Sequence, residues 1–195
     1  MNYLLSTYDD SIGKIITEDE SGNSFLLYTE EKQYSLPTVT IGNQTWTSKN
    51  IEFYDGESDI RRWTNFRYNN YNFGTVYWYK RSALARIEEA YPDFRIPTND
   101  DILELQAYMN NNCEALRGLN GWTNNPGTDL FGFDGQPLGY IIDADNTIFM
   151  HDTGLSCDFL TTTQMAKLNE NNTFELITPE DIWNQNKYIV RLIAR

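Results

Sequence analysis

The stretch "FRIPTNDDILELQAYM", residues 94–109, constrains the fold of this chain more than any other. Pro97 fixes its own backbone and pushes the residue before it out of the helical region, so the chain must arrive extended. Thr98 is placed to cap a helix, because its hydroxyl can accept from the Asp101 amide, which has no partner inside a first turn. Asp100 and Asp101 put negative charge at the positive end of the helix dipole. Ile102, Leu105, Tyr108 and Met109 then recur at helical spacing and predict one apolar stripe. The stretch is a strand-to-helix corner, and its role is structural.

The remaining chain is organised around that corner. Residues 1–37 read as a small β-rich extension, with "YLLSTY", "KIITED" and "SFLLYT" separated by the turns "DDSIG" and "ESGN". Residues 38–195 read as one domain. "IGNQTW" predicts a hairpin, and residues 54–74, dense in turn formers and aromatics, predict an irregular packed loop. Ala83, Leu84, Ile87 and Tyr91 predict a first helix, which Pro92 ends. Beyond Leu116, glycines and prolines punctuate short strands: "GYIID" and "TIFMHD" around an "ADN" turn, then "DFLTTT". "KYIVRLIAR" predicts a final strand with Ile189 and Leu192 on different faces. The fold class expected is α+β, with two helices, short antiparallel sheets and a loop-rich second half.

Composition narrows the partners. Hydrophobic residues make up 40% of 195, enough for a core. A net charge of -13 repels phosphate backbones, and the densest basic run, Arg61, Arg62 and Arg67, is interleaved with Glu57 and Asp59. Nucleic acid is therefore not expected as a partner. Asp9 and Asp10 stand where a secretory leader would be apolar, so no leader is predicted. No run reaches the roughly 18 apolar residues of a membrane-spanning helix, so no membrane insertion is expected. Cys113 and Cys157 are expected as buried thiols, which permit a disulfide and do not require one.

Individual residues carry little catalytic signal. His151 has Asp152 beside it, but no nucleophile motif accompanies the pair, so a polar strand-end histidine is expected. One His and two distant Cys cannot make a four-ligand zinc site. Asp143, Asp145, Asn146 and Asp152 carry the oxygen ligands that calcium favours. They lack the glycine and distal glutamate of a helix–loop–helix calcium site, so an ordinary polar turn is expected and no cofactor is assigned. No pair of carboxylates is singled out for glycoside hydrolysis, which needs a defined separation.

The ordered motifs "TVTIGNQTWTSKNI" (38–51), "GTVYWY" (74–79), "RIPTNDDILEL" (95–105), "LRGLNGWTNNPGTDLFGFDGQPLGY" (116–140), "DFLTTTQ" (158–164) and "YIVRLIAR" (188–195) resemble the Fibrobacter succinogenes major paralogous domain. That family is a variety of C-type-lectin-like fold found in surface and phage-encoded proteins of Bacteroidetes-type bacteria. Tyr91 and Phe94 stand where the family has cysteine and tryptophan, which argues against its disulfide. "GQPLG" lacks the acidic third residue, and Gln185 replaces the acid of the "W-N-D" triplet, so calcium-dependent sugar binding is not implied. In such folds the loops after the second helix present variable residues. Here they hold Trp122, Asn124, Asn125, Asp129, Asp145, Asn146 and His151, the candidate ligand- or partner-binding set.

The resemblance, the absence of a predicted leader and a β-rich extension suited to docking or oligomerisation together lead to the expectation of a non-catalytic structural or binding module, most specifically a phage virion accessory protein of head, fibre or tail. It would be made in the host cytoplasm and located in the virion. Its partners would be other virion proteins or itself, with a host-surface glycan or protein as a possible receptor. The alternative is a glycan-binding adhesin at the bacterial surface. A third is an enzyme of the formylglycine-generating type, which shares the fold and works through a cysteine pair.

Overall fold

The computed structural model describes the backbone of residues 5–9, 14–18 and 24–29, and residues 36–110, 112–144, 147–178 and 185–195. The chain divides into two compact units, Met1–Ser35 and Leu36–Arg195. In the first, β1 (Leu5–Asp9), β2 (Lys14–Glu18) and β3 (Ser24–Thr29) form an antiparallel meander. Leu5 lies opposite Glu18 and Asp9 opposite Lys14, and the β2–β3 register shifts between Ile15 and Ile16.

The second unit mixes helix and sheet, with its named strands paired antiparallel and two α-helices, the coarse class expected. It begins with β4 (Thr38–Ile41) and β5 (Gln44–Thr47), a hairpin turned at Gly42 with φ 61°, and a Cβ there would meet the Tyr108 ring at 2.9 Å. Next come β6 (Ile60–Tyr68), β7 (Tyr71–Tyr79), α1 (Leu84–Ala90), β8 (Phe94–Arg95) and α2 (Asn99–Met109). The later strands are β9 (Tyr140–Ala144), β10 (Thr147–His151), β11 (Ser156–Leu160), β12 (Met165–Asn169), β13 (Phe174–Ile177), β14 (Asn186–Tyr188) and β15 (Ile193–Ala194). They form three sheets, β10-β9-β14-β7-β6, β11-β12-β13 and β4-β5-β15-β8. Among the described residues no helix is long and apolar enough to cross a membrane.

Residues 54–74 depart from the expected loop. From Ile60 they form the long β6–β7 hairpin, turned by Asn69 and Asn70 with φ of 48° and 61°. Two successive left-handed residues give the turn whose twist matches that of paired strands, and asparagine tolerates this conformation better than other residues with a side chain. Asn65 is also left-handed (φ 56°), where the register shifts between Trp63 and Phe66. A bulge on an exposed edge strand thus carries the turn-forming residues that the sequence shows.

The α2 corner follows the sequence closely. The Asp101 amide donates to Thr98 Oγ1 at 3.2 Å, and the Thr98 amide donates back to Asp101 Oδ2 at 2.6 Å, a reciprocal capping box. Arg95 grips the same carboxylate at 2.5 and 2.8 Å, so strand and helix are joined on both sides of Pro97. Ile102, Leu105 and Met109 are buried, whereas Tyr108 leaves the expected stripe and is 54% exposed, its ring edge-on to Phe131.

Two cores flank the sheets. One gathers Trp46, Trp78, Ile102, Leu105, Phe133 and Phe159; the other gathers Ile51, Tyr79, Ile87, Leu160, Val190 and Leu192. The segment "KYIVRLIAR" is not one strand: Tyr188 closes β14, Ile193 opens β15 in a different sheet, and the residues between run along the boundary. Ile189 and Ile193 enter the first core while Val190 and Leu192 enter the second, so the expected opposition of Ile189 and Leu192 is present. The segment's backbone bonds are irregular, with Leu160 donating to Ile189 O, Ile51 to Val190 O and Thr47 to Leu192 O. Each buried aliphatic side chain contributes about 1.5–3 kcal/mol, so these four together match much of a domain's net stability.

Candidate functional site

The loop-rich half is held by two buried arginines. Arg191, 0% exposed, donates through Nε to Asn50 Oδ1 (2.7 Å), through Nη1 to the carbonyls of Thr47 (3.0 Å) and Phe133 (2.7 Å), and through Nη2 to Asp134 O (2.7 Å). Its guanidinium also lies 4.6 Å from the centroid of the Phe133 ring. Burial lowers its proton affinity, but a guanidinium has ample margin to stay charged. Arg117 donates to the carbonyls of Asn169 and Glu170 and to Asn172 Oδ1 (2.7 Å), and covers Trp122 at 5.3 Å. Gly127 passes so close to Arg117 that a Cβ would stand 2.0 Å from its carbonyl oxygen. The loops after α2 are therefore a fixed surface.

The candidate residues fall into separate groups on that scaffold. Trp122 is 7% exposed and sits in the first core beneath Arg117, so its ring offers no exposed platform. Asn124 and Asn125 are exposed and both bind Glu170: the Asn124 amide and Nδ2 reach its carboxylate at 3.2 and 2.9 Å, and Asn125 Nδ2 reaches its carbonyl at 3.4 Å. Asp129, left-handed at φ 46°, accepts from the Asp134 amide at 2.7 Å, and burial raises its proton affinity. Asp145 and Asn146 lie outside the described residues. Glu170, which organises the two asparagines, is a partner that no local motif announced.

The other carboxylates of the calcium reading do not converge. Asp143 stands opposite Ile148, near the turn of the β9–β10 hairpin, and accepts from Lys187 at 2.9 Å. Asp152 follows the pair His151–Tyr140 at the far end and accepts from Lys167 at 2.5 Å. Each already faces a lysine, and three intervening pairs at about 3.3 Å per residue keep them apart. Among the described residues no cluster of three or more metal-ligating side chains occurs.

His151 belongs to an unexpected array. Tyr79, Tyr188, Tyr140 and His151 lie directly opposite one another across β7, β14, β9 and β10. The His151 ring stacks on Tyr140 at 4.9 Å and 8°, and Tyr140 meets Tyr188 at 5.4 Å. Nearby, Asp158 of β11 stands opposite Lys167 of β12. Burial pushes the Asp158 carboxyl up to about 7, an effect that Lys167 and the adjacent Ser156 hydroxyl only partly offset. Neither Asp158 oxygen, nor Ser156 Oγ, has a well-aligned hydrogen-bond partner among the described residues. The sequence clue was a charge inside each of two apolar strands, "SCDFL" and "MAKLN", which acquires meaning only with their register.

Cys113 and Cys157 are free and buried. Burial raises both thiols, Cys157 to about 12, so neither is a thiolate nucleophile at neutral pH. Comparisons of the chain with protein-family models, with curated proteins and with solved structures found no match.

Proposed function

We propose that the chain is a non-catalytic binding and structural module of C-type-lectin-like architecture, serving as a phage virion accessory protein. The observation that carries this reading is the closure of the larger unit. The first hairpin pairs with β15, Ile193 opposite Trp46, while Arg117 and Arg191 anchor the intervening loops as a rigid display surface. Loops fixed on a rigid frame are a recurrent basis for recognition. The six ordered motifs between residues 38 and 195 and the separate three-stranded unit support the same reading. Several described ionisable groups are engaged in structural bonds, as with Arg86 between Asp55 and Asp59, each at 2.6 Å. Mass spectrometry of gradient-purified virions is the test. The expected result is that the chain co-purifies in constant ratio with head or tail proteins; its absence from intact particles overturns the assignment.

A further inference from the structure

A cleft of about 440 Å³ opens between the loop that carries Tyr54 and Ser58, the ends of β6 and β7, and the neighbouring strands β9 and β14. Its lining reverses the charge balance of the chain. Arg61, Lys80 and Lys187 line it against Asp143 and Glu57, although the whole chain has 28 acidic residues and 15 basic ones. The nearby carboxylates Asp55 and Asp59 are both taken by Arg86.

The three cations have different duties. Lys187 is buried and bridges Asp143 Oδ2 (2.9 Å) and the Ser58 carbonyl (2.7 Å), which fixes the floor of the cleft to its loop wall. Arg61 is 44% exposed in its side chain, and its nearest carboxylate oxygen, on Asp143, is 4.0 Å away. Lys80 makes no side-chain hydrogen bond or ion pair among the described residues. Two cations thus face an open volume with donor capacity to spare. Beside them Tyr54 is 45% exposed, its ring supported by Tyr77 at 6.3 Å.

We propose that this cleft binds a carboxylate-bearing sugar, with Arg61 and Lys80 taking the carboxylate, Asp143 accepting from ring hydroxyls, and Tyr54 providing an apolar wall. The singly charged, hydroxyl-rich ligand follows from the mixture of groups. A phosphate dianion would meet Asp143 and Glu57 with two charges, whereas a hydroxyl donates to a carboxylate. A neutral sugar would leave Arg61 and Lys80 to share Asp143, a carboxylate that Lys187 already engages. An aromatic face with a few convergent polar groups suits a sugar ring. This inference rests on the binding-module reading and names its ligand class.

The test is an NMR titration of the full chain at low salt with glucuronate, N-acetylneuraminate, glucose and inorganic phosphate. The expected result is that one or both sugar acids bind, more tightly than glucose or phosphate, with shifts at Tyr54 and Lys80; which acid binds better tells uronate from sialate sources. Arg61→Gln and Lys80→Gln should each weaken binding about tenfold, the loss of one charge-assisted hydrogen bond. Arg67→Gln, at the far end of β6, should leave it unchanged. Equal binding of phosphate or glucose, indifference to both lining substitutions, or no binding of either acid overturns the inference. A chain present in virions but inert to both acids keeps the module reading and loses this one.

Discussion

Two buried aspartates of the larger unit hold their protons in opposite ways. Asp101, at the α2 corner, is drawn down to about 2, and Asp158, on β11, is pushed up to about 7. Burial is the largest influence on both and raises both. The outcome is decided by donors: Asp101 accepts from both Arg95 nitrogens and from the amide and hydroxyl of Thr98, whereas Asp158 has only Lys167 across the strand pair and an unaligned Ser156 hydroxyl. Depth alone does not determine charge state. The count of aimed donors does.

Three substitutions test that comparison. The largest effect belongs to Arg191→Met, which removes a buried charge whose donors are used by four oxygens. It should lower unfolding stability by about 3 kcal/mol or more in urea titration, because each abandoned acceptor costs about 1–3 kcal/mol. A loss near zero would mean that water replaces the guanidinium and that donor count matters less than argued.

Asp101→Ala should cost about 2 kcal/mol at pH 7, roughly 1 from the capping box and 1 from its partly buried ion pair with Arg95. The Asp101 carboxyl lies below its ordinary 3.8, so its contribution is complete above that pH and is lost as pH falls toward 2. The stability gap between wild type and variant should close over that window.

Asp158→Asn should have the smallest effect and the opposite sign. With its folded value above 3.8, Asp158 imposes no cost where both states are protonated; the cost grows as pH rises from 3.8 to about 7 and is constant beyond. The substitution removes that cost but leaves an unbonded amide, for a net gain of about 1 kcal/mol at pH 8. At pH 4 it should give no gain. A variant equally destabilised at both pH values would show that Asp158 is bonded in solution.

The same contrast explains what could be read from the chain beforehand. The α2 corner was legible because Thr98 and Asp101 are three residues apart and their bonds are local. Two hairpin turns escaped notice although both carry Asn–Asn: Asn69–Asn70 between β6 and β7, and Asn171–Asn172 between β12 and β13, with Asn172 at φ 69°. Those pairs lie among aromatic and polar residues that also suit irregular loops. Arg191 in "YIVRLIAR" carries no local signal of its buried role, because its acceptors come from residues 47, 50, 133 and 134. Trp122 looked available for recognition until Arg117 was placed over it. In the candidate site, Glu170, Lys167 and Asp158 depend on register between strands, which a single sequence does not encode locally.

The boundary segment between the two cores also bears on how the domain is made. Leu192 donates to Thr47 across 145 residues of chain, and both cores need side chains from residues 189–193. During synthesis the first hairpin, both helices and the aromatic sheet must therefore wait, with apolar faces open, until that late segment emerges from the ribosome. Such long-range closure implies slow folding and a long window for misassociation, so this chain should depend on chaperones during production more than its modest size implies.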